Sequence, residues 1–415
     1  MKNYVIIGNG VAAAGCIEGI RSQDTKSKIS VISEENHPVY CRPLISYYLE
    51  GKTTIEKMKY RNDDYYKTNN CEVLYGKQAV KIDDKNKTVT TNDGSEIKYD
   101  SLCIASGSSP FVPPFTGLDT VENKFSFMTI DDTLALENAI DKNSKVLIVG
   151  AGLIGLKCAE GIAERVSEIT VCDLADRVLS SILDNECAAL MQSHLEKHGI
   201  KFYLSDSVET FDKNTAKMKS GAEVNFDVLV LAVGVRANTT ILKDIGGEVN
   251  RGIVVDDKMQ TSIKNIYAAG DCTEGNDISS GQKRVLAILP NAYMQGKCAG
   301  INMTGGESVF DNAIPMNSIG FFGLHAMTAG SYFTEKDGGK VYEEKGENYI
   351  KRLYIKDGVL SGFILIGKVD RAGIYTSLIR EKTPIKDINI ETLKKAPSLA
   401  IFSSKMRRKK LGGVI

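Results

Sequence analysis

Short apolar runs recur along this chain, and each is cut off by glycine or another small residue. Tyr4 to Ile7 stops at Gly8-Asn9-Gly10-Val11-Ala12-Ala13, and Val146 to Val149 stops at Gly150-Ala151-Gly152-Leu153-Ile154-Gly155. Runs without polar alternation predict strands buried on both faces of a sheet. Helix-like stretches follow, over roughly residues 11–22 and from Gly155 to about Val166. Ile29 to Ile32 and Ile169 to Cys172 then predict a second strand in each case. Leu102-Cys103-Ile104 and Val228 to Leu231 predict further buried strands, ending in Ala105-Ser106-Gly107 and Ala232-Val233-Gly234. The plan strand, glycine turn, helix, strand is written twice.

A strand that feeds a glycine turn into a helix start is a pyrophosphate cradle. Glycine lets the backbone approach the phosphates, and the helix start offers free N–H groups and partial positive charge. Two such turns in one chain imply two dinucleotides. A carboxylate after the second strand is placed to bind ribose hydroxyls. Glu34 and Glu35 are both candidates in the first half, with a solvated strand end as the bland alternative. In the second half Asp173 stands 23 residues after Gly150, near the ~20 expected. A carboxylate there repels a 2′-phosphate, so NADH is favoured over NADPH; Arg177 nearby weakens this slightly.

Elsewhere the texture changes. Glu72 to Ile82 and Thr88 to Thr91 predict polar strands, with a turn at Asn92-Asp93-Gly94. Pro110 to Pro114 marks a linker. Ile266 to Ala269 predicts a strand ending in Gly270-Asp271, and Pro290 opens a small-residue helix to about Met303. From Ile314 the pattern predicts antiparallel strands, with a hairpin around Asp357-Gly358.

The chain has 415 residues, 42% hydrophobic content and zero formal net charge. Two or three domains are expected at roughly 100–200 residues each, and nothing points to nucleic acid. No apolar run reaches the ~18 residues of a membrane span, and Met1 to Tyr4 runs straight into the first strand. A cytoplasmic protein is expected. The nine cysteines are scattered, without Cys-x-x-Cys, which reads as structural thiols in a reducing compartment. No metal site is expected. A basic run, Lys405 to Lys410, reads as a solvated segment or a docking face.

The ordered set Gly8-x-Gly10, Ala105-Ser106-Gly107, Gly150-x-Gly152-x-x-Gly155, Ala232-Val233-Gly234 and Ala269-Gly270-Asp271 resembles the FAD-dependent pyridine nucleotide-disulfide oxidoreductase superfamily, over roughly residues 1–385. The resemblance implies an α/β fold with two Rossmann-like domains and a small C-terminal α+β domain. An FAD domain, 1–112 plus 245–312, would be split by an NAD(H) domain, 113–244. Residues 313–385 would form the C-terminal domain, and 386–415 a basic tail. It implies FAD contacts from Gly8, Gly10, Ala13, Glu34, Glu35, Ala105, Ser106 and Gly107. Asp271 would hold the ribityl chain, with Asn291 and Gln295 beside the flavin. It implies NADH contacts from Gly150, Gly152, Leu153, Ile154, Gly155, Asp173 and Gly234.

Finer features narrow the resemblance. Tyr40 to Leu49, Ser108 to Pro113, Pro315 to Ser318 and Arg371-Ala372-Gly373 are similar to NADH:rubredoxin oxidoreductases and to the flavin-binding N-terminal part of assimilatory nitrite reductases. In those relatives Arg42 would pass by the FAD. NADH would reduce the flavin, and a small rubredoxin-like iron protein would take the electrons, with no catalytic side chain required. Three departures stand beside the matches. The redox cysteine pair of glutathione-type enzymes is missing. Pro43 occupies the single-cysteine position of the peroxidase and oxidase type, with Cys41 two residues upstream. If Cys41 reaches the flavin, an NADH oxidase or coenzyme A-disulfide reductase is the alternative; a flavoprotein subunit of a larger complex is another. Finally, many relatives have Glu where Lys157 stands, and that positive charge faces a clash with oxidised nicotinamide.

Overall fold

The computed structural model describes residues 1–395 and 397–411. It divides into two compact units. The first comprises Met1–Cys172, Asp206–Asn276 and Lys283–Ala313; the second comprises Asp173–Ser205, Asp277–Gln282 and Ile314–Ile415.

Two parallel sheets organise the first unit, as the doubled apolar pattern predicts. One runs in the order Ile266–Ala268, Ser101–Ile104, Asn3–Ile7, Lys28–Ser33, Cys71–Tyr75. The other contains Glu168–Asp173, Lys145–Val149, Val228–Leu231 and Lys124–Phe125, again all parallel. The central strands are buried on both faces, which is why their sequences are unbroken apolar runs. Each half also carries a three-stranded antiparallel meander before its last buried strand: Ala79–Asp83, Thr88–Thr91, Glu96–Lys98 in the first, and Val208–Asp212, Thr215–Met218, Glu223–Asn225 in the second.

The stretch Glu72 to Ile82, read from sequence as one strand, is two. Gly76 takes φ +65 and turns the chain between Cys71–Tyr75 and Ala79–Asp83, which join different sheets.

The edge strand Ile266–Ala268 of the first sheet arrives only after the whole second sheet has been built. The chain leaves along Ser108–Pro110 and returns along Val235–Ala237, and these two strands pair antiparallel. Asn238 pins the crossing: its Nδ2 donates to the Ser106 carbonyl and its carbonyl accepts from Ser106 Oγ, both at 2.9 Å. The returning chain ends in the helix Leu289–Met303, which packs on Val11–Arg21. Gly15 and Gly19 face the Tyr293 and Lys297 carbonyls, and Gly296 and Gly300 face those of Ala12 and Cys16. An added Cβ at any of the four would lie 1.9–2.3 Å from the opposing oxygen. The two helices therefore touch backbone to backbone.

The second unit is built on an antiparallel sheet in the order Met316–Phe321, Leu324–Gly330, Val359–Ile366, Tyr349–Lys356, Lys340–Gly346. The hairpin at Asp357-Gly358 has positive φ at both residues, 50° and 75°, the backbone that matches strand twist in a two-residue turn. The helix Ala372–Arg380 covers the sheet, with Tyr375 against Phe363 at 5.4 Å between ring centroids. The fold is thus α/β with a C-terminal α+β part. Of the basic run, the side chains of Lys405, Lys409 and Lys410 lie outside the described residues.

Candidate functional site

The two glycine turns are built alike, hydrogen bond for hydrogen bond. Gly8 N–H donates to the Ile32 carbonyl and Gly150 N–H to that of Cys172, both at 2.8 Å. Ala105 N–H donates to Ile7 O at 2.7 Å, and Ala232 N–H to Val149 O at 2.8 Å. Gly8 and Gly150 have φ +102 and +121, and a Cβ on either would lie 2.1 or 2.3 Å from the carbonyl oxygen of Ala105 or Ala232. This is why each turn begins with glycine: its backbone packs directly on the main chain at the end of another buried strand.

The second glycine of each turn differs. Gly10 and Gly152 are the N-caps of Val11–Arg21 and Leu153–Ile162, with ordinary φ of −88 and −83 and no side-chain cap. A Cβ at either would meet nothing within 4 Å. By contrast, Thr129 caps Ile130–Ala139 and Asp184 caps Asn185–Lys197. Both glycine-capped starts have first-turn N–H groups without a side-chain cap, and open space where a side chain on the cap glycine would begin. That arrangement fits a pyrophosphate and needs no side chain. The third fingerprint position is close packing: Gly155 would place a Cβ 2.0 Å from Gly150 O, and Ala13 in the first half is fully buried. Leu153 and Ile154 open the second helix, half-buried.

Around the first turn, Asn9 is braced by Tyr66, whose hydroxyl donates to Asn9 Oδ1 at 2.7 Å. The structure separates the two carboxylate candidates. Glu34 is exposed. Glu35 accepts from Tyr40 Oη at 2.6 Å and from Arg42 at 2.7 Å. Arg42 also donates to the Met128 carbonyl at 2.7 Å. Burial raises the Asp271 carboxyl above its usual range, and the nearby Arg42 charge opposes that rise, so Glu35, Arg42 and Asp271 share one neighbourhood. Gln295 and Asn291 are buried; Gln295 Oε1 accepts the Gly270 N–H at 2.8 Å. The Ala269-Gly270-Asp271 turn is thereby fixed to the Leu289–Met303 helix, and through its glycines to the first cradle.

In the second half, the strand Glu168–Asp173 ends at Asp173, whose Oδ1 accepts the Ala175 N–H at 2.8 Å. Arg177 is turned to Asp176 at 2.6 Å and to the Leu183 carbonyl at 3.2 Å. Gly107 and Gly234 have φ +63 and +109 and sit at the two ends of the paired crossing strands. From sequence, Lys157 is a positive charge that faces a clash with oxidised nicotinamide. It is ion-paired with Glu160, lies 3.9 Å from Glu50 Oε1, and stacks on the Tyr47 ring at 4.6 Å. The Glu160 partner was legible from its i+3 spacing; Glu50 and Tyr47 were not.

The cysteines are free among the described residues, and all but Cys41 and Cys71 are buried. Burial pushes the Cys41 thiol above its usual range, and none of the hydrogen bonds described here places a base on it.

Residues 2–296 match the pyridine nucleotide-disulphide oxidoreductase family. This chain belongs to that family. Its fold and its cofactors, FAD and a pyridine nucleotide, are those of a pyridine nucleotide-disulphide oxidoreductase. Three relatives frame it. The NADH-dependent phenylglyoxylate dehydrogenase subunit epsilon of Aromatoleum evansii is 32% identical, over 92% of each chain. The nitrite reductase [NAD(P)H] of Bacillus subtilis is 32% identical over 93% of this chain, which spans only 48% of that protein. The NADH-rubredoxin oxidoreductase of Clostridium acetobutylicum is 27% identical over 89% of this chain and 92% of its own. A crystal structure of NADH:rubredoxin oxidoreductase from that organism matches with a TM-score of 0.75 at 25% identity, covering 94% and 97% of the two chains. Among the described residues no helix is long and apolar enough to cross a membrane.

Proposed function

We propose that this oxidoreductase takes electrons from NADH and passes them, through FAD, to a small iron protein of the rubredoxin kind. The observation that carries the reading is the pair of uncapped, glycine-started helices with open space in front of them. In this reading residues 1–112 and 245–312 hold FAD and 113–244 hold NADH, with 313–385 a separate domain. Gly8, Gly10, Ala13, Ala105, Ser106 and Gly107 form the FAD cradle, and Glu34, exposed after its strand, takes the adenosine ribose. Glu35 keeps Arg42 beside Asp271, which takes the ribityl hydroxyls; Asn291 and Gln295 line the flavin side. Gly150, Gly152, Leu153, Ile154, Gly155 and Gly234 form the second cradle, with Asp173 on the NADH ribose. Bound flavin supplies two-electron uptake and one-electron release; the chain supplies binding, orientation and exclusion of water.

Asp173 is expected to set the nucleotide preference. A 2′-phosphate beside it meets like charge, and Arg177 is already committed to Asp176 and Leu183 O. Wild type should prefer NADH, and Asp173→Ser should narrow the preference about tenfold, on the order of 1.4 kcal/mol. Steady-state kinetics with both nucleotides check this; an NADPH preference in the wild type contradicts it.

The acceptor is tested by anaerobic turnover. A thiol mechanism needs a thiolate beside the flavin, yet the Cys41 thiol is pushed up rather than down. Cys41→Ser should therefore leave reduction of a one-electron acceptor within a few-fold of wild type. Near-complete loss with FAD retained would turn the reading to an NADH oxidase or coenzyme A-disulfide reductase. Rubredoxin turnover should fall with added salt, since the Debye length shrinks from ~10 Å at 0.1 M to ~3 Å at 1 M. Ferricyanide turnover should not fall in parallel. Deleting 403–415 asks whether the basic run takes part. A second reading, a flavoprotein subunit of a larger complex, is favoured by the full-length similarity to the Aromatoleum subunit. Failure of every small iron protein to outpace oxygen would favour it.

A further inference from the structure

Lys157 departs from the Glu expected at its position, and the structure surrounds it with compensating groups. Its side chain is 14% exposed, and those of Glu160 and Glu50 are 6% and 8% exposed. Burying three charges is costly unless they satisfy one another. Glu160, one turn along the same helix, pairs with Lys157 directly. Glu50 is the cap residue of a different element, the short helix Ile45–Leu49. Its Oε2 pairs with Lys52 and its buried Oε1 accepts no hydrogen bond, 3.9 Å from the Lys157 ammonium. Tyr47, from that same short helix, presents its ring to the ammonium at 4.6 Å.

The two helices meet at a second place. Gly161 has the Ser46 carbonyl and Leu49 Cβ within 3.0 and 3.2 Å of where its Cβ would stand. Beside it Tyr48 Oη donates to Glu137 at 2.8 Å, and Arg165 pairs with Glu137 at 2.7 Å. Just upstream of the short helix lies Arg42, with Glu35. Just upstream of Lys157 lies the second glycine turn. The Ile45–Glu50 segment thus leaves the Arg42–Glu35–Asp271 neighbourhood and ends on the helix that starts at the other cradle.

We infer that Lys157 is a positioning residue, whose half-buried charge clamps the Leu153–Ile162 helix to the Ile45–Glu50 segment and so fixes the approach of the nicotinamide to the flavin. The inference rests on the cofactor placement proposed above. A clamp acts on geometry, and a small misplacement of reacting groups costs rate more than affinity.

The test uses the full-length protein. In anaerobic stopped flow at saturating NADH, Lys157→Met should slow flavin reduction at least tenfold, with the NADH dissociation constant within threefold of wild type. The long-wavelength charge-transfer absorbance of reduced flavin with NAD+ should weaken in parallel. In the apoprotein, hydrogen exchange should quicken at residues 45–50 and 153–162 and nowhere else in the unit. Lys157→Arg, which keeps the charge, should stay within threefold of wild type. Should Lys157→Met not fold, Glu50→Gln takes its place; it removes one charge of the clamp, and a several-fold slowing is expected. A variant that folds, holds FAD and reduces it at the wild-type rate overturns the clamp. A wild type that binds no FAD, or whose FAD is not reduced by NADH, overturns the cofactor placement instead, while apoprotein exchange still tests the clamp.

Discussion

Gly10→Val is expected to fold with wild-type stability and to leave purification without flavin. Gly10 has φ −88, and an added Cβ there would meet nothing within 4 Å. The protein itself therefore does not require glycine at this position. A pyrophosphate lying against the uncapped start of Val11–Arg21 would require it. A valine would occupy the space of the pyrophosphate and cut its hydrogen bonds to the helix N–H groups. Hydrogen bonds to a charged group are worth about 1.5–3 kcal/mol each. Losing two of them lowers FAD affinity by roughly a hundredfold or more, at about 1.4 kcal/mol per tenfold. Gly8→Ala makes the informative contrast. Its Cβ would stand 2.1 Å from the Ala105 carbonyl at φ +102, so the turn is strained even when empty, by about 1–2 kcal/mol for the left-handed backbone alone. That variant should lose stability and flavin together. The measurements are the thermal midpoint of the apoprotein and the flavin absorbance per chain. A Gly10→Val protein that carries stoichiometric FAD would sink the cradle assignment.

The contrast between these two glycines also marks what a sequence can carry. Both strand–turn–helix units were legible because their elements are local: an apolar run, a glycine turn and a helix within about twenty residues. The hairpin at Asp357-Gly358 was legible for the same reason. The spelling does not say that Gly8 answers to Ala105 and Gly150 to Ala232; it shows only that both small-residue motifs exist. Glu34 and Glu35 are neighbours in sequence, and only the side-chain directions give Glu35 to Tyr40 and Arg42. The backbone contact between Val11–Arg21 and Leu289–Met303 depends on four glycines from the two ends of the first unit, and no periodicity links them. Lys157 is the strongest case. Read alone it is an unbalanced charge, and its meaning changes once Glu50 is folded against it.

Gly152→Val should separate the two cofactors. Gly152 repeats the geometry of Gly10: an N-cap with φ −83, no side-chain cap, and no atom within 4 Å of an added Cβ. A valine there should leave the fold, the bound FAD and its reduction by dithionite unchanged. NADH-driven reduction should fall at least a hundredfold at fixed subsaturating NADH, because the affinity lost is that of the second pyrophosphate, about 3 kcal/mol or more. Gly150→Ala, whose Cβ would meet the Ala232 carbonyl at 2.3 Å, should instead destabilise the unit, since that glycine is demanded by the sheet itself. Dithionite asks whether the flavin site survives, and NADH asks whether the second cradle delivers the donor to it. If Gly152→Val lost FAD as readily as Gly10→Val does, the turns would not serve separate nucleotides, and the division of labour between the two halves would fail. If it kept full NADH-driven reduction, the second turn would be a remnant of duplication rather than the seat of the electron donor.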